Sequence, residues 1–103
     1  LDAVWSKIPQ GIDILLTHGP PFGILDRVQA GDRVGCEDLL RHVERVRPAI
    51  HCFGHIHEAY GFRKLNGTLF LNPSICTLHY YPTQLPMVVN WESREQYGIV
   101  MEE

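Results

Sequence analysis

Two short apolar runs, each ending on a histidine, constrain this chain more than any other feature. Ile12-Asp13-Ile14-Leu15-Leu16-Thr17 runs into His18, and Ala49-Ile50-His51-Cys52-Phe53 runs into Gly54-His55. Between them residues 36–47 carry a clear helix signal, with Cys36, Leu39, Leu40 and Val43 at i, i+3, i+4 and i+7. Glu37 and Asp38 in the first turn and Arg45 and Arg47 in the last suit the helix dipole. Glu37 stands four residues before Arg41, at pairing distance, and Pro48 stops the helix. Strand, helix and strand in this order make a βαβ unit with parallel strands and a right-handed crossover. The first run, nearly all apolar, reads as a strand covered on both faces. The C-terminal ends of parallel strands share one edge, the edge at which open α/β sheets bind ligands. His18 and His55 are therefore expected to emerge together.

A third histidine, His57, follows in Phe53-Gly54-His55-Ile56-His57-Glu58. In an extended segment residues two apart point to one face, whereas on a helix they diverge by roughly 200°. Gly54 allows unusual backbone angles or a close approach. Imidazole is the commonest protein ligand for transition metals. The rigid turn Thr17-His18-Gly19-Pro20-Pro21 would aim the His18 ring, as a ligand needs. His18, His55 and His57 are thus the candidate metal ligands, against the plainer alternative of strand-end and surface histidines. His51 lies inside the second strand and reads as a structural, bonded ring, and His42 as a surface residue. The role of His79, beside Tyr80 and Tyr81, stays open.

The rest of the chain reads as follows. Residues 1–11 form a lead, closed by the turn Pro9-Gln10-Gly11. Residues 18–34 form a long connection too apolar to be a free linker, hence an ordered loop. Asn66-Gly67 between Tyr60–Lys64 and Thr68–Leu71 is a strong hairpin signal. Asn72-Pro73-Ser74 turns the chain; Asn72 and Ser74 are candidates for the substrate side, though turn chemistry explains them first. Ile75–Leu78 and Met87–Trp91 read as further strands, and the polar tail from Glu92 as a frayed end.

With 103 residues, one domain is expected over 1–103. A formal charge of -3 without a basic face argues against a nucleic-acid partner. No apolar run approaches membrane-spanning length, and no signal peptide is legible. Cys36, Cys52 and Cys76 are odd in number and lack CxxC spacing. They read as free, space-filling thiols in a reducing, cytoplasmic compartment. The chain opens on Leu1, with Trp5 and Ile8 close behind, and is expected to be a piece of something longer.

Leu15-Leu16-Thr17-His18-Gly19-Pro20-Pro21 together with Gly54-His55-Ile56-His57-Glu58 resembles the C-terminal half of a calcineurin-like metallophosphoesterase. Trp5-Ser6-Lys7-Ile8-Pro9, Arg33-Val34-Gly35-Cys36 and Asn72-Pro73-Ser74-Ile75-Cys76-Thr77 look like its metallophosphoesterase-domain-containing, UPF0046-type branch. The resemblance covers roughly residues 4–91. It implies an α/β fold, the C-terminal part of a metallophosphoesterase α/β/β/α sandwich. It also implies hydrolysis of a phosphoester, a phosphodiester or cyclic nucleotide among the candidates, by two divalent ions (Mn, Fe or Zn) activating a hydroxide for in-line attack. By that resemblance His18 and His55 would serve the second metal and His57 the first. The family's Asp-x-His motif, bridging Asp and Asn-His pair lie in its first half, and Asp2 and Asp13 match none of them. Imidazoles alone cannot offset the repulsion between two close divalent ions. The chain alone is therefore expected to hold at most one metal, to be inactive without the N-terminal half, and to expose apolar surface where that half would pack. The alternative is a catalytically dead fragment acting as a metal-binding or interaction module.

Overall fold

The computed structural model describes residues 1–101. The βαβ unit is present. A short helix α1 (Asp2–Trp5) precedes strand β1 (Ile14–Leu16), helix α2 (Glu37–Val46) crosses over, and β2 (Ile50–Cys52) pairs parallel to β1 with Ile14 opposite Ile50. After a single 3-10 turn (His57–Ala59), β3 (Gly61–Leu65) and β4 (Thr68–Asn72) form an antiparallel hairpin. Its turn is the two-residue loop Asn66-Gly67, with φ of 51° and 82°, the paired left-handed geometry that Asn-Gly favours. β4 does more than close the hairpin. It also pairs parallel to β2, so the sheet order is β1-β2-β4-β3.

Alternation along the strands sorts the side chains by face. Leu15, His51 and Phe70 are aligned across the sheet, on the face that α2 covers with Leu39 and Val43, both buried. Ile14, Ile50 and Leu69 lie on the other face, as do Leu16, Cys52 and Leu71. Here the expectation of a first strand covered on both sides needs correction: Ile14 is 59% and Leu16 73% exposed. β1 is an edge strand, and among the described strands it pairs with β2 alone. Val89 and Trp91 line a cleft with Ile14 and Ile50 but leave it open.

α2 matches its predicted span to within a residue at each end. The Cys36 thiol caps its N-terminus by accepting from the Leu39 amide, and Arg47, at φ 52°, ends it in the left-handed region. Two surface assignments change. Arg41 pairs with Asp38 and Asp2 rather than Glu37. His42 is not free on the surface: it donates from Nε2 to Asp2 at 2.8 Å and accepts from Arg45 Nε at 3.0 Å. Both residues join α1 to α2, so the lead is a docked helix.

The tail is the larger correction. β5 (Met87–Trp91) forms as expected, but the chain then turns and pairs back as β6 (Tyr97–Met101). The part of the predicted frayed tail at 102–103 lies outside the described residues. What orders the rest is specific. Arg94, in the turn, donates to the carbonyls of Arg47, Pro48 and Gly67. Trp91 stacks on Tyr97, and Lys64 stands 4.6 Å from the Tyr97 ring centre. Residues 75–78, read as a strand, form a loop instead. No helix among the described residues is long and apolar enough to cross a membrane.

Candidate metal centre

The loop after β1 and the loop after β2 leave the sheet side by side, and one backbone bond locks them: the Gly54 amide donates to the His18 carbonyl at 3.0 Å. The His18 and His55 rings lie 4.6 Å apart, tilted by 41°. They emerge on the shared edge, as parallel topology requires. Together they line one side of a cleft of about 300 Å³ whose other walls include Trp5, Val34 and Leu39.

The His55-Ile56-His57 segment is not extended. The Ile56 amide donates to the Gly54 carbonyl at 2.7 Å, closing a three-residue turn with His55 at φ 67°. That is the rarer and strained form of the γ-turn. The unusual backbone angle falls on His55 rather than on Gly54. Gly54 instead permits an approach, since a Cβ there would stand 3.4 Å from Ser74 Oγ. Because the chain turns at His55 and coils at His57, the two rings separate. His55 goes to His18. His57 goes to the loop of residues 73–86, donating from Nδ1 to the Thr77 carbonyl at 3.2 Å and meeting the Tyr80 ring edge-on at 5.3 Å. Among the described residues no group of three or more His, Cys, Asp or Glu side chains gathers closely enough to hold a metal. The three candidate ligands therefore form a pair and a single.

At His57 one ring nitrogen is spoken for. A carbonyl only accepts, so the His57 proton sits on Nδ1 and Nε2 carries a free lone pair. The neighbouring His51 is different. It is fully buried, and the Thr17 hydroxyl gives its one proton to the Gly19 carbonyl, so His51 Nε2 donates to Thr17 Oγ1 at 2.9 Å. Its Nδ1 has no partner, so the ring is only half bonded. Burial pushes the His51 pKa down to about 4. It holds the Thr17–Gly19 turn as a neutral group.

Asn72 is also fully buried. Its amide donates to the Ile56 carbonyl at 2.8 Å, and its oxygen accepts from Ser74 Oγ and the Ser74 amide. Its polar atoms are engaged within the chain, bracing the histidine loop against the end of β4.

Sequence reasoning passed over Asp26. This carboxylate is completely buried and holds the loop that follows His18. It accepts from the Gly23 amide at 2.8 Å, the Gly35 amide at 2.9 Å and Arg33 Nη1 at 2.8 Å. Burial by itself would raise its pKa, but the two amides and the guanidinium outweigh burial and hold it below the usual value. The spacing of Asp26 three residues after Gly23 was the available signal, an aspartate able to bond a nearby amide.

Curated relatives match this chain in sequence. Metallophosphoesterase domain-containing protein 1 of Homo sapiens is 50% identical over 88 residues, which is 84% of this chain and 27% of that protein. UPF0046 protein T07D4.2 of Caenorhabditis elegans is 51% identical over 73 residues, 70% of this chain and 18% of that protein. Over the shared residues the chain is similar to the UPF0046 branch of the metallophosphoesterase-domain proteins. Its mixed sheet with a helix on one face is compatible with part of such an α/β domain. No family model matches the chain. Against a second worm relative of the UPF0046 branch, K07C11.7, identity is 48% over 73 residues. The chain spans 27% of the human metallophosphoesterase-domain protein and 24% of K07C11.7.

Proposed function

We propose that this chain is the histidine-bearing, C-terminal part of a metal-dependent phosphoester hydrolase, and that it works with an N-terminal half supplied by the rest of a longer protein. The observation that carries this reading is the bond from Gly54 to His18, which sets two imidazoles 4.6 Å apart at the C-terminal edge of parallel strands. Two imidazoles this close suit one divalent ion of the Mn, Fe or Zn kind. They supply only half of a four-ligand sphere, so carboxylates must come from outside. His57, its Nε2 left free by Thr77, is assigned to a second ion nearby. A divalent ion held there supplies Lewis-acid polarisation of the phosphoryl oxygens and a water activated for attack.

The residues of this chain do the holding. The His51–Thr17–Gly19 bonds and the Asp26 clamp keep the His18 loop in place, and Asn72 keeps the His55 loop beside it. The substrate is a small phosphoester, with phosphodiesters and nucleotides among the candidates. Three free, half-buried thiols support a reducing, cytoplasmic setting.

The test has two parts. Calorimetric titration of Mn²⁺ should show one weak site on this chain, lost in His18→Ala and in His55→Ala. Hydrolysis of an aryl phosphodiester should be absent from the chain alone and should appear when the N-terminal half of a relative is added in trans. Mn²⁺ uptake indifferent to both substitutions would sink the reading. A second reading is a catalytically inactive metal-binding or interaction module. It predicts metal uptake with no turnover even after complementation.

A further inference from the structure

We infer that Tyr80 is a specificity-determining residue of the proposed site, a wall against which the flat, aromatic organic group of a phosphoester packs. The inference rests on the reading of His57 as a metal ligand. Tyr80 is a large aromatic residue that fills no core, for it is 75% exposed. Its backbone is held at φ 67°, in the left-handed region that glycine and asparagine favour and bulky residues avoid. Strain of this kind persists only where the surroundings impose it, and it concentrates at functional sites.

The surroundings here do impose it. The Tyr80 amide donates to the Thr77 carbonyl at 2.9 Å, and the Thr77 amide donates to the Tyr81 carbonyl at 2.9 Å. Gln84 donates from its side chain to the Cys76 carbonyl at 3.0 Å and from its backbone amide to the Ile75 carbonyl at 2.9 Å. Tyr60 Oη fastens the far end of the loop through the Leu85 carbonyl. The same Thr77 carbonyl that places Tyr80 also orients His57, so ring and ligand are set by one turn.

The Tyr80 ring stands nearly perpendicular to His57, at 85° and 5.3 Å between centres. This leaves most of the ring surface open, one imidazole away from the lone pair of Nε2. A phosphoryl group taken by a metal ion that His57 would hold through that lone pair would have its ester substituent beside the tyrosine. A planar aromatic substituent gains from the offset or edge-on contacts such a ring offers, and a small aliphatic one does not.

Phenylphosphonate and methylphosphonate carry the same phosphonyl group and differ only in the organic part. Each is titrated, with Mn²⁺ and the N-terminal half of a relative present, into the wild-type chain, Tyr80→Phe and Tyr80→Asn. Asparagine keeps the left-handed backbone while removing the ring. The wild type and Tyr80→Phe should prefer phenylphosphonate about tenfold. Tyr80→Asn should lose that preference while keeping its Mn²⁺ uptake, its methylphosphonate affinity and its unfolding midpoint. A preference that survives in Tyr80→Asn, or a wild type that shows none, overturns the inference. In the complemented chain, Mn²⁺ uptake unchanged by His57→Ala, alongside a phenyl preference that Tyr80→Asn abolishes, would sink the metal reading and leave the aromatic wall standing.

Discussion

At the scale of single residues, the site depends on side chains that never touch a ligand. Gly35 is one. A Cβ there would lie 2.3 Å from the Pro21 carbonyl oxygen and 2.6 Å from the Phe22 nitrogen, both backbone atoms with little room to move. Cys36 and Pro20–Phe22 exchange backbone bonds across this contact, and the second of those segments begins two residues after His18. Gly35→Ala is therefore expected to cost about 2–3 kcal/mol, measured by urea unfolding, as overpacking does. His51 makes the chain sensitive to acid. Its pKa is about 4 in the fold and near 6.5 when unfolded, so the unfolded chain takes up the proton first. The stabilisation from keeping His51 neutral is complete above pH 6.5 and is lost as pH falls through 4, for about 3 kcal/mol in all. His51→Phe should flatten this part of the stability profile. Asp26 acts lower still: its depressed pKa means its contribution is present above its ordinary value and lost as pH drops below it. The place of His51 inside a strand already marked it as structural, but neither acid response is readable from residue type. A strand histidine and a loop aspartate are common, and only burial turns them into braces.

At the scale of elements, what was legible is what is local. The helix over 36–47, the parallel strands flanking it and the Asn66-Gly67 hairpin all appear, because periodicity, Pro48 and turn chemistry act within a few residues. What failed was pairing over distance. β4 adds itself to β2 as well as to β3, and β6 returns to β5 instead of fraying, held by Arg94 and the Trp91–Tyr97 stack. The C-terminal end of α2 offers a test at this scale. Arg47 sits in the left-handed region at φ 52°, and its carbonyl rather than its side chain accepts from Arg94. Arg47→Gly removes the steric penalty and keeps the bond. It should stabilise the chain by about 0.5 kcal/mol, net of the glycine's extra unfolded-state entropy, seen as a higher urea midpoint.

At the scale of the whole molecule, one side of the sheet is unfinished. β1 is an edge strand with free backbone groups, and Ile14 and Leu16 stand exposed on the face opposite α2. Such an edge is a template for another strand. The chain is expected to associate with itself at micromolar concentration, with a sedimentation coefficient that rises with loading. Leu16→Lys should suppress this, since a lysine on an edge strand opposes pairing, while leaving the unfolding midpoint nearly unchanged because Leu16 buries little.

The amino-acid sequence by itself determined the βαβ unit, the shared edge at which His18 and His55 emerge, and the branch the chain resembles. Each rests on a short-range pattern or on a motif. The tertiary structure alone decided that His55 leaves His57 to join His18, because a left-handed turn at a single non-glycine residue rotates the two rings apart. It alone put Asp26 in the role of a hidden brace, joined His51 to Thr17, and set Tyr80 at the edge of His57. These depend on contacts between residues far apart in the chain, where burial and backbone strain, not spacing, set the outcome.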